Sequence, residues 1–216
     1  MKILFFILIS AGILFFTSCQ TQTETTTENK DTLKPVLKTL ENLMAAFKGE
    51  TTASAKYAAF ATKAKEENQP EIAKLFEAAS KSESIHAANH KKVIEEMGGT
   101  LEAFTPEFEV KTTAENLQAA YDGETHEIDA MYPDFIKTAE VEKTDNAVQT
   151  FTYAIETEKK HQAFYKTAID ALAAKKTKAL FAEFFVCPKC GNTFETTNLK
   201  DFCELCATPK DKFFKI

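Results

Sequence analysis

From residue 33 to about residue 176, apolar side chains recur every three or four positions, the spacing of one helix face. The pattern breaks at three places only. It predicts four long helices, Leu33–Asn68, Pro70–Met97, Thr113–Lys143 and Asp145–Lys176. Pro35 falls in a first turn, where its missing N–H costs nothing, and Gly98-Gly99 is a C-terminal stop. The joints near residues 68 and 144 are a few residues long, so each flanking pair should be an antiparallel hairpin. The segment Gly98–Thr112 has 15 residues and reaches about 45–50 Å when extended. A 28-residue second helix is about 42 Å long, so this segment can cross the whole bundle and make helices two and three parallel. The fold class is all-α, a four-helix bundle with one long crossover.

The inward stripes carry residues that a core should refuse. Helix two presents Ile72, Phe76, Ala79, Glu83, His86, His90, Val93 and Met97 on one seam. The same stepping gives Leu43, Phe47, Glu50, Ser54, Tyr57 and Ala61 in helix one, and Leu117, Ala120, Glu124, Glu127 and Met131 in helix three. Helix four gives Val148, Phe151, Ile155, Glu158 and Gln162, with His161 beside the seam. A single unpaired buried carboxylate costs several kcal/mol, and no lysine lies in these seams to neutralise five. Two multivalent cations would. Glu50 is 18 residues before position 68 and His86 18 after it; Glu127 and His161 stand 17 either side of position 144, so all lie at mid-bundle height. Two Glu-x-x-His turns plus a Glu from each remaining helix is the ligand set of ferritin-like dimetal bundles, a pattern matched here, and carboxylate-rich ligation with imidazole suits iron or manganese. A lone Glu-x-x-His would more simply be a solvated helix face; two of them at one level are not. Tyr57 and Tyr132 can reach the site or be ordinary core aromatics. His90 reads first as a satisfied core histidine, with ligand or proton relay as alternatives, and His126 as a surface residue.

Composition narrows the function. All 26 basic residues are lysine and the net charge is −6, so neither a basic field nor a forked guanidinium is on offer, and nucleic acid is excluded as a partner. The apolar run Ile3–Phe16 after Lys2 suits a signal peptide and is short for a bilayer span. It ends in Thr17-Ser18-Cys19, resembling a bacterial lipoprotein cleavage box with Cys19 as the lipidated residue. Residues 21–31 contain no apolar side chain. The expected organisation is a signal peptide (1–18), a tether (19–32), a bundle (33–180) and a cysteine domain (181–216). The expected location is periplasmic, with membrane contact through the lipid alone.

At the other end, Cys187-Pro-Lys-Cys190 and Cys203-Glu-Leu-Cys206 form two Cys-x-x-Cys turns twelve residues apart, a strong tetrathiolate pattern. A tail of this size buries little by itself and needs the ion as a staple. Spacing does not separate zinc from iron. A redox-type dimetal site on the same chain favours iron, which can pass electrons singly.

Over residues 33–216 the chain resembles the rubrerythrins: the bundle's ligand pattern, Met131-Tyr132-Pro133 after Glu127, and a rubredoxin-like tail carry the likeness. The resemblance implies a di-iron centre held by Glu50, Glu83, His86, Glu124, Glu127, Glu158 and His161. One iron would exchange Glu127 for His86 with oxidation state, and Tyr57 and Tyr132 would be hydrogen-bonding neighbours. It implies reduction of hydrogen peroxide to water, with electrons from a mononuclear iron at Cys187, Cys190, Cys203 and Cys206, usually across a head-to-tail homodimer. The alternative is a ferroxidase or iron-binding protein with a structural zinc tail; a pure electron carrier is a third. Two departures stand out. The second cysteine turn ends in Ala207, without the Pro and Gly of a rubredoxin turn. The export signal separates this chain from cytosolic NADH and leaves its electron donor unknown.

Overall fold

The computed structural model describes residues 37–216. The proposed signal peptide, Cys19, the tether and the first predicted turn of helix one lie outside the described residues. Among the described residues, no helix is long and apolar enough to cross a membrane.

The helices are α1 (Lys38–Glu66), α2 (Pro70–Glu96), α3 (Thr113–His126), α4 (Tyr132–Val141) and α5 (Asp145–Ala173). The C-terminal ends of α1, α2, α4 and α5 follow one rule. Asn68, Gly98, Lys143 and Lys175 take positive φ, and the residue after each returns its N–H to a carbonyl five residues back. Last-turn carbonyls are satisfied this way while the chain reverses. A capping box starts α3: the Thr112 side chain accepts from Glu115 N–H, and Glu115 accepts from Thr112 N–H.

Cross-bundle hydrogen bonds fix the directions. Glu67, at the α1–α2 joint, accepts from Thr113 N–H at the start of α3. At the opposite end Glu142 accepts from the N–H groups of Lys38 and Thr39, and Asn146 donates to Glu96. The segment after α2 therefore returns along the bundle's length, and α2 and α3 run parallel, as a ferritin-like crossover requires.

The predicted third helix is not uniform. A π-helical turn, Glu127–Met131, separates α3 from α4, and Tyr132 N–H bonds Glu127 C=O. Pro133 explains it: proline has no N–H and its ring crowds the carbonyl four residues back, so a wider turn just before it relieves the clash. Helix four is shorter than predicted, ending at Ala173 rather than Lys176.

Two apolar plugs fill the bundle. One, near the α1–α2 joint, contains Phe60, Leu75, Phe76, Leu117 and Tyr165; the other contains Leu43, Ile94, Ala139, Phe151 and Ala154. The polar seam positions lie between them. The cysteine region is a small antiparallel sheet in the order β2-β1-β3, from β1 (Phe184–Val186), β2 (Thr193–Glu195) and β3 (Phe214–Lys215). Phe184 and Val186 of β1 join the first plug, so bundle and cysteine region share a core.

Phe76 is fully buried, and its ring meets Phe60 at 5.4 Å and Tyr165 at 5.6 Å between centroids. Phe76→Ala should cost about 3–5 kcal/mol of stability, read as a lower urea midpoint in equilibrium unfolding.

Candidate metal centres

Each helix delivers its polar residues to one level of the core: Glu50 from α1, Glu83 and His86 from α2, Glu124 from α3, Glu158 and His161 from α5. All six are at most 1% exposed. They form two overlapping groups whose ligand atoms lie within 4.8 Å of one another, Glu50-Glu83-His86-Glu158 and Glu83-Glu124-Glu158-His161. Glu83 and Glu158 belong to both, where carboxylates bridging two ions would sit. His86 Nδ1 is 3.0 Å from both Glu83 Oε2 and Glu158 Oε1 and 3.7 Å from Glu50 Oε1. His161 Nδ1 is 2.8 Å from Glu158 Oε2 and 3.1 Å from Glu83 Oε1.

The donor set fits two cations. Glu50 Oε2, Glu83 Oε1, both Glu158 oxygens and His161 Nδ1 are buried and have no hydrogen-bond partner among the described residues. Buried polar atoms are seldom left so; gathered at one point, they are a ligand set. The titration behaviour agrees. Burial and the neighbouring carboxylates raise Glu83, Glu124 and Glu127 above the ordinary carboxylate value. Burial opposes charge on His161, but Glu83 and Glu158 outweigh it and raise the group to about 9. His86 is likewise raised against its burial, by Glu158 and Glu50, and Glu50 is lowered despite burial by hydrogen bonding to His86. Without cations, protons are shared among these groups to limit the charge.

Glu127 is the one predicted ligand that the structure leaves out of both groups. It opens the π turn and is half-buried. Both tyrosines are turned to the site: Tyr57 donates to Glu124 Oε1 at 2.8 Å and Tyr132 donates to Glu50 Oε1. His90 is fully buried and lies outside both groups, and His126 is exposed, as expected.

The four cysteine sulfurs also lie within 4.8 Å of one another, with Cys187–Cys206 and Cys190–Cys203 at 3.4 Å, and they form no disulfide. Tetrahedral ligation at about 2.3 Å needs sulfur edges of roughly 3.8 Å, so one ion fits after slight expansion. Gly191 and Ala207 close the two turns at φ +79° and +58°. The alanine does the glycine's work in the left-handed region, at a cost of about 1–2 kcal/mol.

The cysteine turn sits on the bundle site. A Cβ at Gly191 would lie 2.4 Å from His86 Nε2. Ser82 Oγ donates to Gly191 C=O at 2.7 Å, and His161 Nε2 is 2.9 Å from Thr193 Oγ1. Both imidazoles thus turn Nδ1 to the carboxylates and Nε2 to residues 191–193. Sequence reasoning missed Ser82, Gly191 and Thr193 as site neighbours, since nothing local marks contacts made across 109 residues, as for Ser82 and Gly191, or 32, as for His161 and Thr193. It also missed Tyr165, four residues after His161 on the same face and fully buried; that spacing was the available signal.

Residues 41–169 match the family described as Rubrerythrin. The chain belongs to the rubrerythrin family. It is 36% identical to Rubrerythrin-2 of Clostridium acetobutylicum over 177 residues, 81% of this chain and 95% of that one. It is also 36% identical to Nigerythrin of Nitratidesulfovibrio vulgaris over 191 residues, 85% and 89% of the two chains. Fully reduced, all-ferrous nigerythrin superposes with a TM-score of 0.75 at 35% identity, covering 87% of this chain and 91% of that one. An open-pore ferritin from Archaeoglobus fulgidus, at 14% identity and a TM-score of 0.58 over 67% and 93% of the chains, shares the fold. The carboxylate–imidazole cluster is thus the di-iron site of a rubrerythrin-family protein, and the cysteine cluster can hold a further iron.

Two outcomes are expected. Raised Glu and His groups mean that the metal-free fold binds more protons than the unfolded chain. Its stability should therefore fall as pH rises from the ordinary carboxylate value of 4.5 to about 9; Glu50, whose group is lowered, contributes with the reverse sign, and only below 4.5. Metal binding must displace those protons, so affinity should rise over the same interval. Thermal unfolding with and without chelator across pH checks the first; calorimetry in buffers of different ionisation enthalpy checks the second. Separately, Gly191→Ala should lift the turn from His86, costing about 1–2 kcal/mol for its conformation and about 1–3 for overpacking, seen as faster amide exchange over residues 187–193.

Proposed function

We propose that this protein reduces hydrogen peroxide to water at its di-iron site, with electrons entering through an iron at the four cysteines. The observation that carries the reading is the seating of the first cysteine turn on both site imidazoles. A structural zinc staple has no need of that contact, whereas a one-electron carrier does. Cys190 is followed at once by Gly191, whose backbone touches His86, and then by Thr193, which meets His161. The route from sulfur to either imidazole is therefore short and made of packed protein atoms.

Two ferrous ions, when bound, supply the electron pair that breaks the O–O bond. The chain's own groups do the rest. Glu83 and Glu158, common to both groups, would help hold each ion, Tyr57 and Tyr132 hold Glu124 and Glu50 in orientation, and the two plugs keep bulk water from the site. Peroxide takes up two electrons and two protons and leaves as two waters. The electrons are restored singly by an external one-electron donor at the exposed side of the cysteine domain, where Phe202 beside Cys203 is 62% exposed.

Glu127 on its π turn would enter as His86 withdraws, the exchange expected from the family resemblance. The head-to-tail homodimer expected from the family resemblance remains part of the proposal. So does export to the periplasm as a Cys19-anchored bacterial lipoprotein, which would require a donor other than NADH in the cytosol.

The full chain should contain about three irons, show a red thiolate-to-iron absorption band, and be reoxidised within seconds by one equivalent of peroxide after reduction. Two irons with one zinc, and indifference to peroxide, would instead indicate an iron-binding protein with a structural tail.

A further inference from the structure

The di-iron reading leaves one buried imidazole without a task. His90 lies between α2 and α5, fully buried and outside both ligand groups. Both its nitrogens are engaged: Nδ1 is 3.1 Å from Thr150 Oγ1, and Nε2 is 3.3 Å from the Tyr132 hydroxyl. Tyr132 in turn donates to Glu50 Oε1.

Glu50 fixes the direction of every hydrogen in this row. An ionised carboxylate only accepts, so the Tyr132 O–H donates to it. Tyr132 has a single hydrogen, so towards His90 it accepts, and His90 Nε2 must carry the proton. A neutral imidazole then has a bare Nδ1, which accepts from the Thr150 hydroxyl. All three donors point inward. Thr150 itself lines a surface crevice of about 180 Å³, together with Asn89, Tyr153 and Lys189. The row therefore runs unbroken from solvent to a site carboxylate.

We infer that Thr150 and His90 extend Tyr132 into an oriented proton wire, carrying protons from this crevice to Glu50 and the di-iron site. The inference rests on the peroxide-reduction reading, in which two protons are consumed with each electron pair. In one passage, a proton from crevice water binds Thr150 Oγ1 and Thr150's own proton moves to His90 Nδ1. The Nε2 proton moves to Tyr132, and Tyr132's proton moves to Glu50 Oε1, which hands it to a peroxide oxygen. Up to Glu50, four bonds to hydrogen break and four form, and the imidazole is neutral before and after. The passage leaves the imidazole proton on Nδ1, and exchange of that N–H proton through solvent must return it to Nε2 before the next passage. His90 and Thr150 are positioning residues, since neither touches substrate.

The test uses the full chain and two variants. T150V removes the outermost donor, and H90Q removes the ring that exchanges one proton for another. Reduced, iron-loaded protein is mixed rapidly with peroxide in H2O and in D2O. Both variants should reoxidise more slowly by roughly 100-fold or more, with a larger solvent isotope effect than the wild type. Nitrogen-15 NMR of histidine-labelled chain, loaded with zinc as a diamagnetic stand-in, should find the His90 proton on Nε2, with the Nδ1 resonance shifted in T150V. Unchanged rates and isotope effects in folded, fully loaded variants would overturn the wire, as would a proton on Nδ1. If wild-type protein ignores peroxide, the peroxide reading fails on its own, and the NMR result alone upholds or overturns the wire's polarity.

Discussion

The organising constraint in this molecule is the charge of a carboxylate layer buried between two apolar plugs. Glu50, Glu83, Glu124 and Glu158 are sealed from water on four different helices, and the cationic groups in reach among the described residues are imidazoles: His86, His161 and, 3.9 Å from Glu50, His90. Such a layer is stable only if cations are bound there or protons are shared. Everything around it serves that need. Long straight helices carry the glutamates to one height, short joints keep the hairpins in register, and the crossover brings α3 back to run beside them.

The same layer joins the two halves of the chain. His86 and His161 each turn Nδ1 to the carboxylates and Nε2 to the first cysteine turn, so the imidazoles are shared walls. Metal-site histidines usually fix their second nitrogen on a polar partner; Thr193, three residues after Cys190, does this for His161, whereas His86 Nε2 is packed against Gly191 without a hydrogen bond. Gly191 is indispensable for steric reasons, since any side chain there would collide with His86. Ala207, at the equivalent place in the second turn, faces no such neighbour and can be an alanine despite its positive φ.

The π turn shows how a local conflict becomes a functional feature. Pro133 cannot continue an α-helix without strain, and the widened turn that accommodates it carries Glu127, the one glutamate held apart from the inner groups. Widened turns are common at functional sites, where they give a ligand freedom that a regular helix would deny.

The amino-acid sequence by itself determined the helices, the crossover, the height of the ligand layer and the four-sulfur cluster. Each follows from periodicity and spacing along one chain, which act over a few turns or a single loop length. Helix ends were less legible, because Lys143 and Lys175 adopt a conformation that sequence rules reserve for Gly and Asn. Only the tertiary structure decided what meets across the bundle: that Gly191 and Thr193 meet the imidazoles, that Thr150 and His90 line up behind Tyr132, and that Glu127 stands aside. Those contacts join residues tens to more than a hundred positions apart. They depend on how helices rotate and dock, which no local pattern encodes.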